Sequence, residues 1–177
     1  MPHTILSDKM NRLNNTEILE KLKSKFGTVI LFSEEPFGLL TIYIEKQIIK
    51  DMLQYLYQET HLGFQFLTDL CGIHDPSQVN AELGVVYHLQ NMRTNTRIRI
   101  KSFTALSNPK FPTVTDIFKT ANWMERETYD FFGIIFEGHP NLKRILNMDD
   151  MVDFPLRKEF PLEDQTRLDK DDKMFGR

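Results

Sequence analysis

Leu83-Gly84-Val85-Val86-Tyr87-His88-Leu89-Gln90 and Thr96-Arg97-Ile98-Arg99-Ile100-Lys101-Ser102-Phe103 are two runs of strand length. The polar stretch from Asn91 to Asn95 joins them as a hairpin. Arg97, Arg99 and Lys101 alternate along the second run, so they share one face of a sheet. This hairpin decides the fold class, because it makes the sheet around it largely antiparallel.

Working upstream, Phe64 to Leu70 reads as another strand. Lys46 to Glu59 has helical period, with Ile48, Ile49, Met52, Leu53 and Leu56 on one side. Thr28 to Phe32 and Leu39 to Ile44 read as strands around a turn at Glu34, Glu35, Pro36 and Gly38. Asn15 to Phe26 reads as an amphipathic helix closed by Gly27. Downstream, Thr113 with Asp116 resembles a capping box, which predicts a helix from Thr113 to Gly133, broken near Thr120. Ile134 to Phe136 reads as a short strand. The predicted class is α+β: a mixed, largely antiparallel sheet with helices packed on one face.

The character of the chain changes after Gly138. Prolines at 140, 155 and 161 punctuate a charged segment without a period, and Phe154-Pro155-Leu156 recurs as Phe160-Pro161-Leu162. Such a segment builds no core of its own. The expected organisation is a globular domain over 1–137 and an extended, partner-binding C-terminal arm over 138–177.

Composition narrows the function. The chain has 177 residues, 41% hydrophobic and 27% charged, with a net charge of −3. That balance argues against a broad affinity for nucleic acid or anionic lipid. The single cysteine, Cys71, excludes an internal disulfide and an all-cysteine zinc or iron–sulfur site. No charged-then-apolar leader stands at Met1 to Met10, and no apolar run approaches the about 20 residues that span a bilayer. The expectation is a soluble, cytoplasmic chain that serves a membrane only through a partner.

Several candidate sites weigh little. The glycines at 27, 38, 63, 72, 84, 133, 138 and 176 form neither a dinucleotide fingerprint nor a phosphate loop. The stripe of Arg97, Arg99 and Lys101 suits RNA, but lacks the aromatic signature of sheet-face RNA binders. It reads better as a solvated face or a contact for an acidic protein. Cys71 with His74 and Asp75 suggests a nucleophile pair, but nothing completes a triad. Turn polars and a buried thiol are the better reading.

The dense segment runs from Trp123 to Gly133. Helical spacing puts Trp123, Glu127 and Asp130 on one face, with Arg126 able to reach Asp130 from the adjacent row. A solvated charged face explains the carboxylates but not the chain's one tryptophan among aromatics and an arginine, which is the composition of interface anchors. His139, before Pro140, reads as a residue that fixes the turn launching the arm.

From Glu125 onward the residues resemble a known family. Glu125-Arg126-Glu127, Asp130 with Phe131-Phe132-Gly133, His139-Pro140, Lys143-Arg144-Ile145-Leu146, Pro155-Leu156-Arg157-Lys158 and Phe160-Pro161 look like the signature of one family of subunits. It is the C subunit, the thirty-kilodalton one, of the proton-translocating NADH:quinone oxidoreductase, respiratory complex I. Where that family commonly has Gly-His before Pro-Leu-Arg-Lys, this chain has Asp153-Phe154.

The resemblance implies a non-catalytic structural subunit of the peripheral arm, on the cytoplasmic side of the bacterial inner membrane. It implies docking on the larger D subunit near the quinone-reducing module. NADH and quinone are met only through the complex. Flavin mononucleotide and iron–sulfur clusters belong to other subunits, and this chain has no catalytic, cofactor or metal residues of its own. The expected partner-binding residues are Trp123, Glu125, Arg126, Glu127, Asp130, Gly133, His139, Pro140, Arg144, Phe154, Leu156, Arg157, Phe160 and Leu162. Phe154, Leu156, Phe160 and Leu162 serve as apolar anchors, and Arg144 and Arg157 as clamps on carboxylates. Two alternatives stand beside this reading. One is the equivalent subunit of a membrane-bound hydrogenase or ferredoxin-driven quinone reductase. The other is a free-standing α+β domain that binds RNA or protein.

Overall fold

The structure is a computed structural model and describes residues 13 to 160. Leu162, one of the expected anchors, lies outside them.

The decisive hairpin forms. β4 (Leu83–Asn91) pairs antiparallel with β5 (Thr96–Thr104), from Leu83 opposite Thr104 to Asn91 opposite Thr96. Asn91 closes the turn, its Oδ1 accepting the Arg93 and Thr94 N–H groups at 2.8 and 3.1 Å. Along β5, Thr96, Ile98, Ile100, Ser102 and Thr104 are buried, and Arg97, Arg99, Lys101 and Phe103 point to the other face.

Three further strands complete this sheet: β1 (Ile30–Glu34), β2 (Leu40–Ile44) and β3 (Phe66–His74). The order is β1-β2-β5-β4-β3. Every neighbouring pair is antiparallel except β2 with β5. β3 begins two residues later than the sequence suggests and runs on to His74. Cys71 and His74 are therefore strand residues, not turn polars.

Two helices cover the buried face of the sheet. α1 (Asn15–Phe26) is capped by Asn14, whose side chain accepts the Thr16 N–H at 3.1 Å, and ends at Gly27 with φ 57°. α2 (Ile49–Gln58) follows a single 3-10 turn over Lys46–Ile48. Ile18 and Leu22 of α1 join Ile49, Met52, Leu53 and Leu56 of α2 in one cluster with Leu40, Ile42, Tyr87, Ile98 and Ile100. Each fully buried side chain of this size contributes roughly 1.5–3 kcal/mol. Those anchors hold α1 and α2 in place, since helices this short are marginal alone.

α3 (Ala121–Phe132) begins at the break expected near Thr120 and ends at Gly133, whereas the stretch from Thr113 to Thr120 is not helical. The capping box at Thr113 does not form. The Thr113 hydroxyl donates to Glu125 Oε2 at 2.6 Å, and the Val114 N–H donates to Glu125 Oε1 at 2.8 Å. Asp116 pairs instead with Lys50 at 2.7 Å. Residues 113–120 are consequently a turn held by a distant carboxylate. Two three-residue strands, β6 (Lys110–Pro112) and β7 (Ile135–Glu137), pair in parallel beside this turn.

α3 lies over β3, at one edge of the large sheet. A Cβ on Gly72 would meet the Phe132 ring at 2.5 Å, so glycine at this strand position is what admits the helix.

Candidate partner interface

Residues 139 to 160 do not leave the domain. They run as a strap along α3, from its N-terminal to its C-terminal end, and many of the bonds that hold them are formed by residues expected from the sequence to bind a partner. His139 sits at the start. Its Nδ1 accepts the Asn141 N–H at 3.0 Å, so its proton lies on Nε2, which faces Asn122 O at 3.1 Å. Arg126 comes next. Its Nε donates to Lys143 O at 3.1 Å and its Nη2 to Arg144 O at 2.9 Å, while its guanidinium lies 5.7 Å from the Trp123 ring centre. Arg126 therefore holds the strap and does not reach Asp130.

Asp130 is the centre of the latch. It is fully buried. Its Oδ2 accepts three successive backbone N–H groups, from Ile145, Leu146 and Asn147, at 3.1, 2.8 and 2.9 Å. Its Oδ1 accepts Arg144 Nη1 at 2.7 Å and Asn147 Nδ2 at 3.0 Å. Burial alone would push this carboxyl up, but the bonds from Asn147, Arg144 and Leu146 outweigh it and hold it well below the usual carboxylate range. The other Nη1 and Nη2 protons of Arg144 go to Asp130 O, Met151 O and Asp153 O. It is a buried clamp on its own chain, where the sequence suggested a clamp on a partner.

The last part of the strap is closed in the same manner. Leu156 N–H donates to Phe131 O at 3.2 Å, Arg157 Nε to Phe132 O at 2.7 Å, and Lys158 N–H to His74 Nδ1 at 2.9 Å. The Phe154 ring is flanked by Arg144 and Arg157, whose guanidinium carbons lie 5.2 and 4.5 Å from its centre. Phe160 is partly buried, its N–H bonded to Arg157 O at 3.0 Å. Gly133 caps α3 at φ 71°, and a Cβ there would meet Arg157 Nη2 and Phe154 Cε2 at 2.5 and 2.6 Å. Glycine is required at 133 on both counts.

The expected helix face thus divides. Trp123 and Glu127 remain exposed, whereas the strap covers Asp130. Glu125 is fully buried on the opposite side, against Thr113 and Val114. Burial pushes its carboxyl up to about 7, against the pull of those two hydrogen bonds. Of the expected contact residues, Trp123, Glu127, Pro140 and Leu156 are exposed, and Leu156 is 45% exposed. Sequence reasoning missed the strap's other outward apolar residues, Leu146, Met148 and Val152, which are 65, 72 and 86% exposed. Their irregular spacing carries no periodic signal. Asn147 and His74, which pin the strap, were equally silent.

The other candidates resolve differently. Cys71 and His74 are three apart on β3 and point to opposite faces, so they do not pair. Burial, then Asp69, pushes the Cys71 thiol up to about 11, far from a neutral-pH nucleophile. On the sheet face away from α1 and α2, Arg99 Nε donates to His88 Nε2 at 2.8 Å and Lys101 Nζ to Tyr43 OH at 3.1 Å. Phe32, Tyr43 and Phe103 form a chain of ring contacts on that face. The stripe therefore has aromatic neighbours, contributed by other strands. Among the described residues, no three His, Cys, Asp or Glu side chains come together as a metal site. Among them, too, no helix is long and apolar enough to cross a membrane.

An α+β sheet domain with a C-terminal strap latched onto its last helix is the class of protein that this fold and site define. The chain belongs to the family described as respiratory-chain NADH dehydrogenase, 30 Kd subunit, whose family model matches residues 42–166. It is 41% identical over 150 residues to the C subunit of the NADH-quinone oxidoreductase of Roseiflexus sp. (strain RS-1), covering 85% of this chain and 86% of that one. It resembles the solved trypsin-resistant fragment (1-134) of Nqo5, with a TM-score of 0.62 and 30% identity, over 73% of this chain and all of that one. It also resembles a chain of the membrane-bound sulfane sulfur reductase, an archaeal respiratory membrane complex. There the TM-score is 0.70 and the identity 26%, over 83% of this chain and 85% of that one.

Proposed function

We propose that this chain is a structural, non-catalytic subunit of the peripheral arm of a proton-translocating NADH:quinone oxidoreductase. In this reading its strap docks on the larger D subunit near the quinone-reducing module. It sits on the cytoplasmic side of the bacterial inner membrane and reaches that membrane through partner subunits. Flavin mononucleotide, iron–sulfur clusters, NADH and quinone belong to the rest of the complex.

One observation carries the docking claim. Leu146, Met148, Val152 and Leu156 are exposed on a segment that Asp130, Arg126 and Arg144 fix to the domain. A surface ordered before binding forfeits little conformational entropy on association, where a free arm forfeits roughly 1–2 kcal/mol per fixed residue. Trp123, 61% exposed beside Arg126, adds an aromatic anchor at the start of the same helix. The grip is thus a rigid, pre-shaped face, not an arm that orders on contact.

Affinity capture of the tagged chain from detergent-solubilised native membranes tests this reading. The D subunit and the other peripheral-arm subunits should co-purify in stoichiometric amounts. Recovery of the chain alone would contradict it.

The likeness to the sulfane sulfur reductase chain favours a second reading, in which the parent complex is a membrane-bound hydrogenase or a ferredoxin-driven quinone reductase. Flavin and NADH oxidation in the captured complex support the first reading, and their absence with intact clusters supports the second.

A further inference from the structure

We propose that the turn joining β1 to β2 is a second docking surface, which takes an acidic segment of another protein in the same assembly. The inference rests on the reading that the chain works inside a multisubunit complex, and not on which subunit meets the strap.

Phe37 is the starting observation. It stands in the left-handed region, φ 55° and ψ 30°, between Pro36 and Gly38. Among the described residues, the other non-glycine positions with positive φ are Asn80 and Asn95, a residue type that tolerates this conformation. Phenylalanine does not. The Phe37 ring is also fully exposed, at 108%. It suffers backbone strain and an unfavourable contact with water, and no internal packing offsets either. Strain of this kind persists at sites where something else compensates it. An apolar pocket on a partner supplies that compensation.

The surroundings define the partner's chemistry. A cleft of about 660 Å³ is lined by Pro36, Phe37 and Leu39 together with Asn95, Arg97 and Arg99. Arg97 is exposed and has no carboxylate within ion-pair distance among the described residues, and neither has Arg99. Two like charges two residues apart on one strand face repel each other until an anion sits between them. The planar forks of arginine match carboxylates bidentately. The chain's net charge of −3 argues for a local acidic peptide over a long polyanion. An acidic segment bearing an apolar pocket beside its carboxylates therefore fits.

This surface is separate from the strap. β1 is one edge of the five-stranded sheet, and β3, beneath α3, is the other. Arg97 and Arg99 stand on β5, two strand spacings or roughly 10 Å from β3, and the turn that carries Phe37 joins β1 and β2 on the far side of β5. The chain is thus built to touch two neighbours at once.

The test uses the whole complex purified from membranes, with a photoreactive benzoylphenylalanine in place of Phe37 or, as a control, of Val152. Illumination at position 37 should give an adduct within an Asp/Glu-rich segment of another subunit. Its yield should fall at least tenfold when Arg97→Glu and Arg99→Glu are added. An adduct at 152 with none at 37 overturns the second surface and leaves the strap reading intact. Adducts at neither position overturn both. An adduct at 37 to nucleic acid, lipid, a second copy of this chain or a segment without carboxylates overturns the proposal as well. Phe37→Asn separates docking from folding: the isolated protein should melt at the same temperature or higher. A fall of more than about 5 °C would show that the ring is packed internally and would overturn the argument.

Discussion

Asp130 and Arg144 form an ion pair at 2.7 Å, with side chains 0 and 7% exposed, across fourteen residues of sequence. Three strap N–H groups and Asn147 also bind the carboxylate, and three backbone carbonyls also bind the guanidinium. Removing one partner of such a pair leaves the other charged, buried and unmatched, at a cost of about 3–5 kcal/mol. Asp130→Ala should therefore lower unfolding free energy by that amount, a large part of a domain's usual margin. Hydrogen exchange at residues 145–147 should quicken well before exchange in β4 and β5, and uniform quickening would show that the latch is not a separate unit.

The two buried carboxylates of α3 give opposite pH dependence. Glu125 has its folded value raised from 4.5 to about 7. Its contribution is fully present below about 4.5 and is lost as pH rises through 7, on the order of 3 kcal/mol in all. The melting temperature should fall between pH 5 and pH 8. Glu125→Gln should flatten that slope, since the amide can donate to Thr113 Oγ1, whose own proton can turn to Thr115 Oγ1 at 3.0 Å. Asp130, held low, does the reverse: its contribution is present above the usual carboxylate range and is lost as pH falls through the folded value. Strap release should thus be an acid event in hydrogen exchange, distinct from the loss seen between pH 5 and 8.

Gly133→Ala tests the end of the strap. The substitution forces a left-handed alanine, at roughly 1–2 kcal/mol, and drives its methyl group into Arg157 and Phe154. Residues 154–158 should become sensitive to protease while the sheet stays folded. Unchanged protection there would mean that the Phe154 packing is not what seats the strap.

Arg126→Lys should behave as a loss, not a conservative change. One ammonium cannot reproduce the fork that serves Lys143 O and Arg144 O together. Stability should fall by about 1–3 kcal/mol, and the amount of assembled complex in membranes should fall with it.

The sheet was legible in the sequence because its signals are local. Alternation in Thr96–Thr104 and the Asn91 turn need no distant partner, and α1 is closed by Gly27. The helix start expected at Thr113 does not form because Glu125, twelve residues away, binds both the Thr113 hydroxyl and the Val114 N–H and fixes that stretch as a turn. That residues 139–160 are latched to their own domain is illegible in the sequence, which reads them as an extended, partner-binding arm. The strap's order comes from side-chain bonds to irregular backbone, above all from Asp130, and such bonds leave no period to find. The motif residues were found, but most of them turn inward. The outward ones, Leu146, Met148 and Val152, have only exposure to mark them.

The central claim is that the outward apolar residues of the strap, and not its buried charges, grip the partner. Val152→Asp tests it most directly, because Val152 is 86% exposed and makes no bond that holds the strap. The variant chain should melt within a degree or two of the parent, as surface substitutions do. Measured by affinity capture from membranes, its recovery with the D subunit should drop at least tenfold. Full recovery of the D subunit with an unchanged melting temperature would contradict the account.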